Sequence, residues 1–573
     1  MKKKLIITAS SIILLLLIGF LSIDYIISGI VDSKVKVIQK ELKGTFDFEY
    51  SSLKVSFFRK RIDLKKFKLK SASDTSSNKN SIEFNLEKLI LKIENFEDVL
   101  FEGKLHFKEV ILKHPMINYG LREKLPKTEV NEDSFSEEED EEEDAGEQRA
   151  TEKLINLILI DQLSVINGEA AIFSKNNIDK KLLYIKDLGV ESTAISIDLN
   201  ETSLDRMFQD DEFKVRIRDL YSDEIKDLHL EVKKIDFTKS SNSIEISGLY
   251  LKNTEKAKTF VSKQKFRAIW MDIIVDKIKL NISPRQIYNK GLVYLKKIEI
   301  DGVHAELYND VTLALKPGHK PMPPSIIRDI SLPFKIDSII LKNSELSYFH
   351  KDKADAPGLL QFKELEVIVT RATNIDYLIE QNSRMNIDIK AKPWGKGDFV
   401  GNISLDLDNP MDYVYARGTL TNLPFKEVEN MTKPLYGVEI ASGKIDVLKY
   451  DLTMNEDIGK GSLRLDYKDL KIDIKKDKEK KDSETGEHKS NKFFNFVANE
   501  AVITSNMPGL KNYESEGYVI FDRNKNKPIF DLLWNCIQVG IMDVVVPNAL
   551  YSSKSHYKKN EKKVKKEEKK KKK

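Results

Sequence analysis

Asp522-Arg523-Asn524-Lys525-Asn526 begins like a calcium-binding loop, with oxygen donors at alternate positions. Lys527 then stands where the loop needs glycine and Leu533 where it needs a bidentate glutamate, so the donor set is incomplete. Gly459-Lys460-Gly461-Ser462 has the residue types of a phosphate-cradling loop without its glycine spacing, and reads as a β-turn. The eight histidines, among them His106, His114, His229, His304 and His350, do not cluster at metal-ligand spacings. Cys536 is the one cysteine, which rules out an intrachain disulfide framework and a cysteine-rich zinc site. No serine elbow or Cys-His pairing stands out, and paired carboxylates such as Asp210-Asp211 are ordinary among 91 acidic residues. The expectation is a protein that is not an enzyme, with no catalytic residue, metal or cofactor.

What does recur is apolar surface. Ile298, Ile300, Ile339, Leu341, Leu365, Val367, Val369, Leu470 and Ile472 alternate with polar residues, as on strands with one oily face. Such a face must be covered by a second layer, by closure, or by a ligand. Closed sandwiches are one solution. The other is an open groove lined by these nine residues, with acyl chains as the missing layer. Exposing a methylene to water costs about 0.8 kcal/mol, so a sixteen-carbon chain costs about 12 kcal/mol. An apolar trough would remove most of that cost without any reacting group.

The strands that would carry this face repeat. A four-residue unit, apolar, two polar, apolar, occurs as Leu64-Lys65-Lys66-Phe67, Leu86-Glu87-Lys88-Leu89, Phe107-Lys108-Glu109-Val110, Ile160-Asp161-Gln162-Leu163, Ile185-Lys186-Asp187-Leu188 and Ile225-Lys226-Asp227-Leu228. It returns as Leu295-Lys296-Lys297-Ile298, Ile336-Asp337-Ser338-Ile339, Phe362-Lys363-Glu364-Leu365 and Tyr467-Lys468-Asp469-Leu470. Period-two alternation follows, so the doubled polar step reads as a β-bulge or bend that keeps both apolar sets on one face. A longer unit lies on top: 107–119, 160–172, 295–307 and 336–348 match position for position. Their polar or turn-forming centres are Lys113-His114-Pro115, Ile166-Asn167-Gly168, Asp301-Gly302 and Lys342-Asn343-Ser344.

The ends differ from the middle. Lys2-Lys3-Lys4 precede an uncharged run from Leu5 to Ile23, long enough to cross a bilayer and longer than a signal-peptide core. The lysines place the N-terminus in the cytoplasm and the rest outside it. Val31 to Lys43 reads as a juxtamembrane helix stopped at Gly44. Ile529 to Leu550 places Leu532, Leu533, Cys536 and Val539 at helical spacing between polar residues, reading as an amphipathic helix that either closes the sheet or lies on a membrane. Charge is 32% of the chain but sums to only +4, so no global field favours nucleic acid. The acidic stretch Glu132 to Glu147, the polar stretch Lys475 to Lys492 and the Lys/Glu tail cannot bury enough surface to order themselves. The expected organisation is an anchor (1–30), a first β segment (31–125), an acidic insert (126–150), central β repeats (151–474), a polar linker (475–492), C-terminal strands with the helix (493–550), and a lysine-rich tail (551–573) that can meet anionic headgroups or acidic envelope proteins.

Several stretches carry a resemblance. These are Gly44-Thr45-Phe46-Asp47-Phe48 after the anchor, Gly418-Thr419-Leu420-Thr421-Asn422-Leu423-Pro424, Ile440-Ala441-Ser442-Gly443-Lys444-Ile445-Asp446, Gly461 to Leu470, and Phe530 to Ile541. With them the chain resembles the AsmA-like proteins of Gram-negative bacteria. The resemblance implies a mainly β fold, an N-terminal transmembrane helix followed by an elongated, curved antiparallel sheet forming a U-shaped groove with a few short helices. It also implies an inner-membrane anchor, a periplasmic body, membrane phospholipids as partners, and a part in phospholipid movement or outer-membrane homeostasis. It carries over no catalytic residue. The competing expectation is a packed scaffold that organises envelope assembly through protein contacts.

Overall fold

The computed structural model describes residues 24–546 except 26, 34, 38, 41–45, 72–80, 95–103, 122–156, 175–176, 199–211, 226, 283–291, 354–355 and 475–502. The apolar run 5–23, the acidic insert, the polar linker and the lysine-rich tail fall outside the described residues. Among the described residues no helix is long and apolar enough to cross a membrane. Strands dominate the described residues, with twenty of them in a mixed sheet and a few short helices. The chain divides into two bodies, 1–246 and 247–573.

The first body opens with helix α1, whose described residues lie between 24 and 40 and so begin earlier than the helix expected at Val31. Ile27 and Val31 pack on Val55, Ile62 and Ile93. Asp24 Oδ1 accepts the Phe57 N–H at 2.6 Å. The strands follow as β1 (Phe46–Glu49), β2 (Ser52–Ser56), β3 (Arg61–Ser71), β4 (Ser81–Ile93), β5 (Lys104–Leu121), β6 (Leu157–Ser174), β7 (Asn177–Asp198), β8 (Phe213–Ile225) and β9 (Leu228–Thr238). Neighbours from β3 to β9 pair antiparallel except β5 with β6, which run parallel.

The second body takes up the same scheme. After β10 (Ser243–Asn253), which spans the division, come helix α2 (Ala257–Ser262), β11 (Ile269–Ile282), β12 (Val293–Asp310), helix α3 (Pro323–Arg328), β13 (Phe334–Lys351), β14 (Gly358–Thr373) and helix α4 (Asp376–Gln381). Then follow β15 (Arg384–Pro393), β16 (Asp398–Asp406), β17 (Val414–Pro424), helix α5 (Phe425–Tyr436), β18 (Val438–Met454), β19 (Ile458–Ile474), β20 (Gly517–Asp522) and helix α6 (Ile529–Val545). Here β12 and β13 are the parallel pair, and β13 to β20 continue antiparallel in order.

The sheet is therefore mixed, not antiparallel as expected, and the reason lies in the long repeat. Its copies are the parallel strands, laid side by side in repeat register: Phe107 faces Ile160 and Tyr119 faces Ile172, while Leu295 faces Ile336 and Leu307 faces Tyr348. A parallel neighbour needs a long crossover rather than a hairpin, and residues 311–333, with α3, supply one between β12 and β13. The polar or turn-forming centres are consequently bends and not hairpin turns. Each lies inside one long strand as a single residue in the left-handed region: His114 (φ 50°), Asn167 (φ 51°), Gly302 (φ 67°) and Asn343 (φ 49°).

The doubled polar step works the same way at Lys66 (φ 51°), Glu364 (φ 46°) and Asp469 (φ 55°). One extra residue reverses the in–out alternation, so the apolar set stays on one face after the strand bends. In β13, Ile339 and Leu341 precede Asn343, and Leu346 and Tyr348 follow it. The ladder to β14 registers the step, passing from Leu341 opposite Val367 to Ser344 opposite Leu365. At Ile225-Lys226-Asp227-Leu228 the unit serves differently, with Asp227 (φ 63°) in the connection between β8 and β9. Gly302 has a further reason to be glycine, because a Cβ there would meet Asp276 Oδ2 at 2.2 Å.

A left-handed residue other than glycine carries a cost of about 1–2 kcal/mol. Lys66 is exposed, so Lys66→Gly is expected to stabilise the chain by about 0.5–1 kcal/mol, whereas Lys66→Val destabilises it by about 1–2 kcal/mol. Urea midpoints of the full-length protein check both directions.

Candidate functional site

Two cross-strand rows define the apolar face of the second body. One runs Leu280, Ile298, Ile339, Val369, Ile387, Ile403, Ala416, Leu452. The next runs Ile278, Ile300, Leu341, Val367, Ile389, Gly401, Gly418, Tyr450, Leu463. Directly paired residues share a face, so each row is a continuous apolar stripe crossing the sheet. Six of the nine candidates, Ile298, Ile300, Ile339, Leu341, Val367 and Val369, sit side by side in these rows. Leu365 lies one step on, beyond the Asn343 bend, opposite Ser344.

Along these rows the cover changes. On β11 to β14 the stripe residues are half-buried, shielded by their lateral neighbours. Further on, Ala416, Leu452 and Leu463 are completely buried. Helix α6 seals that end with Leu532, Cys536 and Val544, and Gly540 lets it approach: a Cβ there would stand 2.7 Å from the Leu463 Cβ. Helix α5 adds Phe425, edge-on to Tyr467 at 5.8 Å. In the second row the Phe399 and Tyr450 rings occupy the space that side chains at Gly401 and Gly418 would need. Burial pushes the Tyr450 hydroxyl and the Cys536 thiol each up to about 12. Leu470, 4% exposed, belongs to this filled core and Ile472 packs against it, so these two candidates lie in the covered part. Val369 also packs against that core, as do Phe334 and Ile336 at the start of β13, so the cover reaches these strands at that end.

The opposite face is polar and ion-paired, as in Lys297–Glu299 at 2.6 Å and His304–Glu345 at 2.9 Å. The Lys297 ammonium holds Glu299 below the usual carboxylate range. Exposed pairs of this kind contribute about 0–1 kcal/mol. Toward the strand ends the same face turns apolar, where Trp270, Tyr308 and Phe349 pack with Phe260 and Val261 of α2. The first body carries a similar row, Leu89, Leu112, Val165, Val190, Val215 and Phe237, all half-buried.

Sequence reasoning missed β11 and β15. Ile278 and Leu280 continue both stripes, as do Ile387 and Ile389, and their alternation was a usable signal. The Gly459-Lys460-Gly461-Ser462 stretch is not a turn but the start of β19. Its glycines admit neighbours closely: a Cβ at Gly459 would meet Cys536 Sγ at 2.4 Å. Among the described residues no group of three His, Cys, Asp or Glu side chains could hold a metal ion. No family model and no curated protein matches this chain.

Covered and uncovered parts of one stripe should answer truncation differently. Leu452→Ala is expected to cost about 3 kcal/mol and Leu341→Ala about 1 kcal/mol, because only the first opens a cavity in a filled core. Equilibrium urea unfolding of the two variants measures the difference.

Proposed function

We propose that this chain is a non-catalytic, membrane-anchored protein of the AsmA-like kind that lends its uncovered apolar face to acyl chains, and so takes part in moving or holding phospholipid in a cell envelope. The observation that carries the reading is the change of cover along one stripe. The same apolar rows that are buried under α5 and α6 at β17 to β19 stay half-buried on β11 to β14, where α5 reaches β14 at its Gly358 end through Leu435. Fatty tails have the chemistry to complete that layer, since each methylene withdrawn from water contributes about 0.8 kcal/mol. The ordered bends fit the task as well, because they keep a single face apolar along strands of up to 22 residues.

In this reading the run 5–23 anchors the chain in an inner membrane with a cytoplasmic N-terminus. The body is periplasmic, and the sheet forms a groove with polar headgroups at its solvent side. The lysine-rich tail meets anionic lipid or envelope proteins. The filled core around Leu452 and Leu463 supports a second reading for the C-terminal end alone, a packed scaffold on which other proteins dock.

Full-length protein purified in mild detergent is expected to carry phospholipid detectable by native mass spectrometry and lipid extraction. Combined Ile300→Ser, Leu341→Ser and Val367→Ser should remove most of it and lower the unfolding midpoint by about the sum of three half-buried truncations, with unfolding still a single cooperative transition. Absence of lipid from the native protein, with unfolding on substitution, would favour the scaffold. A phosphatase fusion at the C-terminus reads the topology independently.

A further inference from the structure

The apolar face does not end in more apolar residues. Where β11, β12 and β13 reach their far ends, register places Ile269 opposite Asn309 and Asn309 opposite His350. One step back on the same face, Leu307 lies opposite Tyr348. Arg267 precedes β11 in the same alternation as Ile269 and Met271. A polar group of four side chains thus closes a stripe that is otherwise Met271, Leu307 and Leu360 around Tyr348.

Two of these four, Arg267 and Asn309, each hold a buried polar atom without a partner. Asn309 Nδ2 donates to the Tyr348 hydroxyl at 2.8 Å, which leaves the hydroxyl its own proton to donate. Asn309 Oδ1 is buried without a partner. Arg267 donates one terminal N–H to the Val311 carbonyl at 2.6 Å, while its Nε is buried without a partner. The Tyr348 and His350 rings are 6.0 Å apart. Burial lowers the affinity of His350 for a proton, so it presents a neutral imidazole near pH 7. Asp352, Asp310 and Asp531 from the first turn of α6 act on it electrostatically, against Arg267. Unpartnered buried polar atoms are costly, and a cluster of them signals an absent partner.

We propose that Arg267, Asn309, Tyr348 and His350 form the seat for the phosphate of an acyl lipid whose chains lie along the Ile298 and Ile300 stripes. The inference rests on the acyl-binding reading above. Arg267 Nε, the Tyr348 hydroxyl and the His350 ring donate to the phosphate oxygens, where a guanidinium makes short, charge-assisted bonds. Asn309 Oδ1 accepts from a headgroup ammonium, whose charge Asp310, Asp352 and Asp531 offset. The headgroup chemistry is that of a phosphodiester carrying a primary amine.

The test titrates full-length protein in mild detergent with dioleoyl phosphatidylethanolamine, with dioleoylglycerol and with inorganic phosphate. The native chain should bind the phospholipid about tenfold more tightly than dioleoylglycerol. Arg267→Gln should erase that gap and leave dioleoylglycerol binding unchanged, and Arg267→Lys should restore part of it. Tyr348→Phe, which keeps the ring packing, should narrow the gap by itself and guards against a folding defect in the arginine variants. A gap absent from the native chain, or untouched by Arg267→Gln and Tyr348→Phe, would overturn the seat and leave acyl binding standing. Binding of neither lipid would overturn both, and phosphate binding that Arg267→Gln then abolishes would replace them with a free-anion site.

Discussion

A strand alternates its side chains between two faces, and a long strand can keep one face apolar only while that alternation stays in step with its bends. Everything in this chain depends on how the bends are made. Seven insert one residue in the left-handed region, at Lys66, His114, Asn167, Gly302, Asn343, Glu364 and Asp469, and so restore the apolar set to the side it left. The step at Leu295 to Ile298 shifts register against β11 without one. Without the step at Asn343, Leu346 and Tyr348 would point into the ion-paired face while Ile339 and Leu341 stayed on the other. A one-residue slip of this kind exchanges the two faces completely. Because the parallel neighbours carry their bends at matching positions, Asn167 beside His114 and Asn343 beside Gly302, the correction is shared between strands and the stripes stay continuous.

Continuity creates the functional question. The stripes run unbroken from β11 to β19, but their cover does not. Helix α6 reaches the sheet only because Gly459, Gly517 and Gly540 leave room for it, and the buried Tyr450, Leu452, Leu463 and Cys536 follow from that approach. On β11 to β14 the equivalent residues stay half-buried. On the proposed reading, that remaining exposure is what a flexible apolar ligand would cover.

Much of the fold was legible in the residues, and the limits have physical causes. Period-two alternation and the apolar-polar-polar-apolar unit identified strands, their common face and several of the bends, because those follow from local geometry. The match of 107–119 with 160–172, and of 295–307 with 336–348, contained the strand pairing as well, since repeat copies lie in register beside each other. Their parallel direction was missed because Asn-Gly and Asp-Gly, the usual hairpin signals, serve here as mid-strand bends at Asn167 and Gly302. For the candidate residues, alternation reports which face a side chain takes and nothing about what lies over it. Leu470 and Leu341 therefore read alike in the sequence, although α5 and α6 belong to the cover of only one of them. The polar end at Arg267 and His350 has no signal in the sequence, because it is assembled from the ends of separate strands.

The central claim is that the β11–β14 part of the apolar face is open to fatty tails in the living cell. Photo-crosslinking tests it most directly, with benzoylphenylalanine placed singly at Leu341, at Val367 and, as a covered control, at Leu452. The account predicts lipid adducts at Leu341 and Val367 and none at Leu452. Adducts only to protein, or none at Leu341 and Val367 in a correctly folded chain, would contradict it.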